Sequence, residues 1–139
     1  MAALSTRQNT RALQYAEEVG LASRMDEQVG GYSLGTRQKL AITLSLLGAP
    51  ELVLMDESLN GLDLHSVGRT LQFLRRCAAD DGQSVLLVTH NVDLAQSYVQ
   101  RAWLLDDGVL SRQWGPGQLA RMREAGALLS RELLAGIGI

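Results

Sequence analysis

Leu52-Val53-Leu54-Met55-Asp56-Glu57 sets four consecutive apolar residues directly against two carboxylates. An unbroken apolar run of this length is expected in a strand buried on both faces, as in a parallel sheet. A second such run, Val85-Leu86-Leu87-Val88, ends in Thr89-His90. Between them, after an Asn60-Gly61 turn, Leu64, Val67, Leu71, Leu74 and Ala78 fall on one helical stripe opposite Arg69, Arg75 and Arg76, and Asp80-Asp81-Gly82 closes it. Strand, helix, strand is the grammar of a right-handed parallel α/β unit. Open α/β sheets place ligands at the carboxyl ends of their strands, where Asp56, Glu57 and His90 stand.

Upstream, Ser5 to Val19 reads as a polar helix with Leu13, Ala16 and Val19 at helical spacing, stopped by Gly20. Asp26 to Gly31 is a polar connection. From Thr36 the pattern turns apolar nearly all round (Leu40, Ala41, Ile42, Leu44, Leu46, Leu47), which predicts a buried helix ended by Gly48-Ala49-Pro50. Downstream, Val92, Ala95 and Val99 mark a short amphipathic helix. Ala102–Leu105 and Val109–Gln113 flank Asp107-Gly108, a favoured hairpin dipeptide. After Gly115-Pro116-Gly117, one last helix is predicted over Gln118–Leu134, with Leu119, Met122, Leu129 and Leu133 on its apolar side.

The 139 residues suit one compact domain with a real apolar core. The single cysteine, Cys77, excludes an internal disulfide framework and a CxxC metal site, and a reducing compartment is the simpler reading. A net charge of −2 argues against a nucleic-acid binder working by phosphate neutralisation. Arg7 and Arg11, with no apolar core between them, give no sign of a signal peptide, and Leu40 to Pro50 is too short to cross a bilayer. The expectation is a soluble protein, at most peripheral to a membrane. Twelve of the 13 basic residues are arginine, and the one lysine, Lys39, follows Gln38. No GxxxxGK[ST] phosphate loop exists within this sequence.

Adjacent carboxylates on a strand project oppositely, so Asp56 and Glu57 can do two jobs, one near a metal ion and one near a water; alone, they read equally as a solvated strand end. A lone histidine such as His90 is more often structural. Ser33-Leu34-Gly35-Thr36 offers backbone N–H groups and a helix dipole to an anion, or serves as an ordinary helix cap.

The order of these parts changes the reading. Tyr32-Ser33-Leu34-Gly35-Thr36-Arg37-Gln38-Lys39-Leu40, then Leu52 to Glu57, then Ser58-Leu59-Asn60-Gly61-Leu62-Asp63, then Val85 to His90, resembles the C-terminal part of the ATP-binding cassette (ABC) transporter ATPases: signature motif, Walker B strand, D-loop and switch histidine, in family order. The likeness runs from about Thr10 to Trp114. It implies an α/β fold: a P-loop-NTPase-like partial parallel sheet with flanking helices, the signature helical segment first, and a C-terminal β-hairpin plus helix. One partial domain is expected, with 1–50 as helical subdomain end and signature helix, 51–114 as half the catalytic core, and 115–139 as a C-terminal helix.

By the same resemblance, Asp56 supports Mg²⁺ through a coordinated water and Glu57 polarises or deprotonates the attacking water. His90 contacts the γ-phosphate. Ser33, Gly35 and Thr36 meet a nucleotide bound mainly by a facing subunit, and Asn60 to Asp63 lie across the dimer interface, Asp63 with the nucleotide-binding set. ATP and Mg²⁺ are the implied ligands, held only with a P-loop from elsewhere. An ABC transmembrane subunit and a second nucleotide-binding domain are the implied partners, on the cytoplasmic face of the membrane, with no nucleic acid.

Three departures stand out. Leu34 replaces the first of the family's two glycines and Thr36 the usual glutamine, a variant similar to signatures of ABC-2 type exporters. Ser58-Leu59 replaces the usual Pro-Thr. The residues before Tyr32 resemble the end of the helical subdomain, so the sequence reads as the second half of a cassette, inactive alone, beginning at an internal methionine or made as a fragment. The alternative is a degenerate cassette acting as a non-catalytic binding module for a competent partner. In the family fold the strand ending at the switch histidine adjoins the strand leading into the P-loop, so Val85–Val88 is expected to have a bare apolar edge, prone to self-association or strand addition.

Overall fold

A computed structural model describes residues 6–80 and 82–137; the expected helix start at Ser5 and the Asp81 of the helix-ending triplet lie outside them. The chain divides into two compact units, one running to Thr89 and one from His90.

In the first unit, α1 (Thr6–Glu18) ends where Gly20 takes φ +72. Leu21 N–H then donates to Ala16 O and Gly20 N–H to Glu17 O, the paired bonds of a glycine-terminated helix. Two 3₁₀ turns, Ala22–Arg24 and Val29–Gly31, form the polar connection. Next come α2 (Leu34–Leu46), β1 (Leu52–Asp56), α3 (Leu64–Asp80) and β2 (Ser84–Val88). β1 and β2 pair in parallel, Leu52 opposite Ser84 and Asp56 opposite Val88, as the two apolar runs predict. α3, the crossover between them, buries Val67, Leu71, Phe73, Leu74 and Cys77. The Phe73 ring lies 4.9 Å from that of Tyr15 on α1.

Two burial expectations need correction. β1 and β2 are covered on one face only: Val53 and Met55 are buried, whereas Leu52, Leu54, Leu86 and Val88 are 45–68% exposed. An apolar run records residue type, and burial also needs an element over each face; among the described residues α3 packs on β2, and the outer side chains stay exposed. Likewise α2 is half-buried, with Ile42, Thr43 and Leu46 inside and Leu34 and Leu44 exposed, because α1 packs along one side of it.

Arg69 of α3 donates to Glu18 O at 3.0 Å and adds a second bond at 2.5 Å to Glu17 O, which already accepts from Gly20 N–H, and Arg76 pairs with Glu18. These bonds tie the first helix to the crossover helix.

The second unit holds α4 (Val92–Gln96), β3 (Ala102–Asp106), β4 (Val109–Trp114), α5 (Pro116–Glu124) and α6 (Leu129–Ile137). Asp107 and Gly108 have φ of +45 and +78, the paired positive angles of the expected hairpin turn, and the register shifts at a bulge between Leu104 and Leu105, before the turn. The single helix predicted over Gln118–Leu134 is two. Gly126 adopts φ +65, Ala127 N–H returns to Met122 O and Gly126 N–H to Arg123 O, which terminates α5. Gln96 bridges the break, donating to Ala127 O and accepting from Leu129 N–H, while Asp93 accepts from the backbone and hydroxyl of Ser130. Trp114, Leu119, Met122 and Leu129 form the core, and Trp114 Nε1 donates to Glu132 at 2.9 Å.

Candidate functional site

Asp56 closes the β1 ladder on its exposed face. Glu57 leaves the strand differently. Its N–H still donates to Val88 O at 3.0 Å, yet its φ is +46, the left-handed region, which costs a residue with a side chain roughly 1–2 kcal/mol. Asn60 N–H returns to Glu57 O at 3.0 Å, so the chain folds back directly after the two acids. A bend, and not strand alternation alone, therefore separates Asp56, which is exposed, from Glu57, which is half-buried.

The returning loop meets the start of α2. Ser33 caps that helix: its Oγ accepts from Thr36 N–H at 3.2 Å and lies 2.8 Å from Thr36 Oγ1. Tyr32 supports the turn, donating from its hydroxyl to Arg24 O and accepting at its carbonyl from Arg37 Nε. A Cβ on Gly35 would sit 2.6 Å from the carbonyl oxygen of Gly61, so only glycine allows this approach. Gly61 has φ +80, and a Cβ there would meet Leu34 Cγ and Cδ2 at 2.8 Å. The structure thus brings Leu34 and Gly35 against the loop that follows the two acids, although 26 positions separate Gly35 from Gly61 in sequence.

Asp63 ends the loop and caps α3. Its carboxylate accepts from Ser66 Oγ at 2.6 Å and Ser66 N–H at 2.9 Å. Those bonds, the hydroxyl first, hold its carboxyl at about 2 against the ordinary 3.8. His90 opens the second unit and is exposed, whereas Glu57 belongs to the first. Gly61 was legible from the sequence only as a turn residue; its seat beneath Leu34 is a tertiary contact without a local signal.

No group of three or more His, Cys, Asp or Glu side chains able to hold a metal occurs among the described residues. An ion of the Mg²⁺ kind does not need such a group, since it keeps several waters and takes one or two carboxylates beside substrate phosphates, and the exposed carboxylate of Asp56 is of that type. No helix among the described residues is long and apolar enough to cross a membrane.

No model of a protein family matches the chain. An aliphatic sulfonates import ATP-binding protein, SsuB, of Pseudomonas putida is 39% identical over 98 residues, covering 70% of this chain and 36% of the relative. SsuB 1 of Rhodococcus jostii is 35% identical over 96% of this chain and 56% of its own length. ArgV, an arginine transport ATP-binding protein of Corynebacterium glutamicum, is 34% identical over 78% of this chain and 42% of the relative. The chain thus spans about 36–56% of these curated relatives. A solved ATP-binding subunit of an ABC transporter superposes with a TM-score of 0.76 at 25% identity, over 96% of this chain and 56% of that one. A bacterial ABC transporter cassette solved as a dimer gives 0.72 at 27% identity, over 84% and 50%.

Proposed function

This chain belongs to the ATP-binding cassette family of transporter ATPases, and from that premise we propose that it contributes the acids, signature turn and D-loop of an ATP site that powers membrane transport. The observation that carries the reading is the junction at the carboxyl end of β1. Two acids with different backbone postures lead straight into a loop packed against Leu34 and Gly35.

Phosphoryl transfer to water needs positioning and charge stabilisation more than covalent chemistry. Glu57, fixed by its bond to Val88 O, orients and deprotonates the attacking water. Asp56, on the exposed face, would hold a water of a Mg²⁺ shell, and such an ion would supply charge neutralisation to the phosphates when bound. His90 contacts the γ-phosphate. Ser33, Gly35 and Thr36 face a nucleotide cradled by a P-loop outside this sequence, and Asp63 holds the D-loop toward a second nucleotide-binding domain. The two units are parts of one cassette half, working on the cytoplasmic face beside a transmembrane subunit that selects the cargo. Two of the relatives above are named for import, which favours import over the export that the leucine-bearing signature suggested.

The 139-residue polypeptide alone is expected to hydrolyse ATP negligibly, because its only lysine is Lys39 and no P-loop backbone holds the triphosphate. Mixed with a P-loop-bearing cassette subunit, it is expected to associate in MgATP, more persistently as Glu57→Gln and not as Asp56→Ala. A clear ATPase rate from the polypeptide alone, abolished by Glu57→Gln, would overturn the reading. MgATP-dependent association that Glu57→Gln and Asp56→Ala leave unchanged would favour a non-catalytic binding module.

A further inference from the structure

The loop from Glu57 to Asp63 is fixed at three places. Glu57 N–H is bonded to Val88 O at its start, and Asp63 is bonded to Ser66 at its end. Its middle keeps its own turn bonds, Asn60 N–H to Glu57 O and Leu62 N–H to Leu59 O, and meets the start of α2 by packing: Leu34 lies on Gly61, and Gly35 lies against the Gly61 carbonyl. Leu34 is 62% exposed, so its side chain adds little core burial. What it does instead is fill the space over a left-handed glycine that no side chain could share.

From this we propose that Leu34 is a positioning residue, a latch that makes the start of α2 and the loop behind the two acids move as one body. A bulky side chain on a bare glycine sets a spacing that neither partner can close, and interdigitated surfaces pass displacement on where loose ones absorb it. A shift of the loop at Gly61 therefore reaches Ser33 and Thr36 through Leu34. The consequence for ATP rests on the function proposed above; the latch itself does not.

Two measurements on the 139-residue chain separate these claims. By amide hydrogen exchange, Gly61→Ala is expected to speed exchange in both 33–37 and 59–63 by about tenfold, since its methyl collides with Leu34. Leu34→Ala combined with Gly61→Ala removes the collision and is expected to recover part of that protection, the remainder reflecting alanine at positive φ. Leu34→Ala alone is expected to loosen 33–37 and 59–63 together with an unchanged melting temperature, and Leu34→Met to keep them protected. In the association assay with a P-loop-bearing subunit, Leu34→Ala is expected to weaken MgATP-dependent binding by about tenfold and Leu34→Met to restore it.

The latch is overturned if the double variant exchanges as fast as Gly61→Ala, or if Leu34→Ala leaves both segments protected. Should the exchange pattern hold while even the unmodified chain shows no MgATP-dependent association, the latch stands and the nucleotide reading falls.

Discussion

β1 and β2 pair across the whole of α3, whereas β3 and β4 pair across Asp107 and Gly108. The hairpin is specified locally, by two residues that accept positive φ. The parallel pair depends on a crossover whose own ends must be fixed, by Asp63 at its start and by Arg69 and Arg76 gripping α1 along its length. That dependence gives the pair its use. A crossover returns the chain to the same edge of the sheet, so Asp56 and Glu57 end β1 beside Val88 of β2, whereas a hairpin brings only its turn to that edge.

The largest expected effect tests whether the hairpin stands on its turn alone. Trp114 ends β4 in the core with Leu119, Met122 and Leu129, so Trp114→Ala is expected to cost about 3–5 kcal/mol, read as loss of exchange protection in β4, α5 and α6 together. A hairpin still protected after that loss would show the turn to be sufficient.

A smaller effect concerns the crossover. The Asp63 carboxyl lies below its ordinary range, so its capping of α3 is fully present above pH 3.8 and is lost as pH falls through about 2. Asp63→Asn is expected to keep the cap and to remove this acid-dependent part of α3 unfolding, seen as a flatter helical circular dichroism signal between these pH values. An unchanged acid limb would show that the capping bonds do not govern the crossover.

The smallest effect falls on the open face of the parallel pair. Leu54 is 68% exposed, so Leu54→Glu is expected to alter stability by less than about 0.5 kcal/mol while lowering self-association in light scattering. Association that persists would place its cause at the bare edge of β2.

Much of this fold was legible because its signals are local. Two apolar runs split by a striped helix predict a parallel pair, and Asp107-Gly108 predicts the hairpin. The break between α5 and α6 was hidden because Arg121 to Ala125 are good helix formers and the leucines on either side keep helical spacing across it. Gly126 ends α5 through its backbone angle, which spacing does not record. The open faces of β1 and α2 were misjudged because apolar sequence marks what prefers burial and not which neighbour arrives to bury it. At the candidate site the acids were legible from their place after β1. The seat of Leu34 on Gly61 was not, since it joins segments that only the fold makes adjacent.

The left-handed posture of Glu57 bears on how its chemistry is dissected. Glutamine matches the reach of glutamate and shares its reluctance toward that backbone angle, whereas asparagine is shorter but at ease there. A gain in rigidity with Glu57→Asn, beside the same change in MgATP-dependent association in both variants, would separate what the main chain gives up at this corner from what the carboxylate accomplishes.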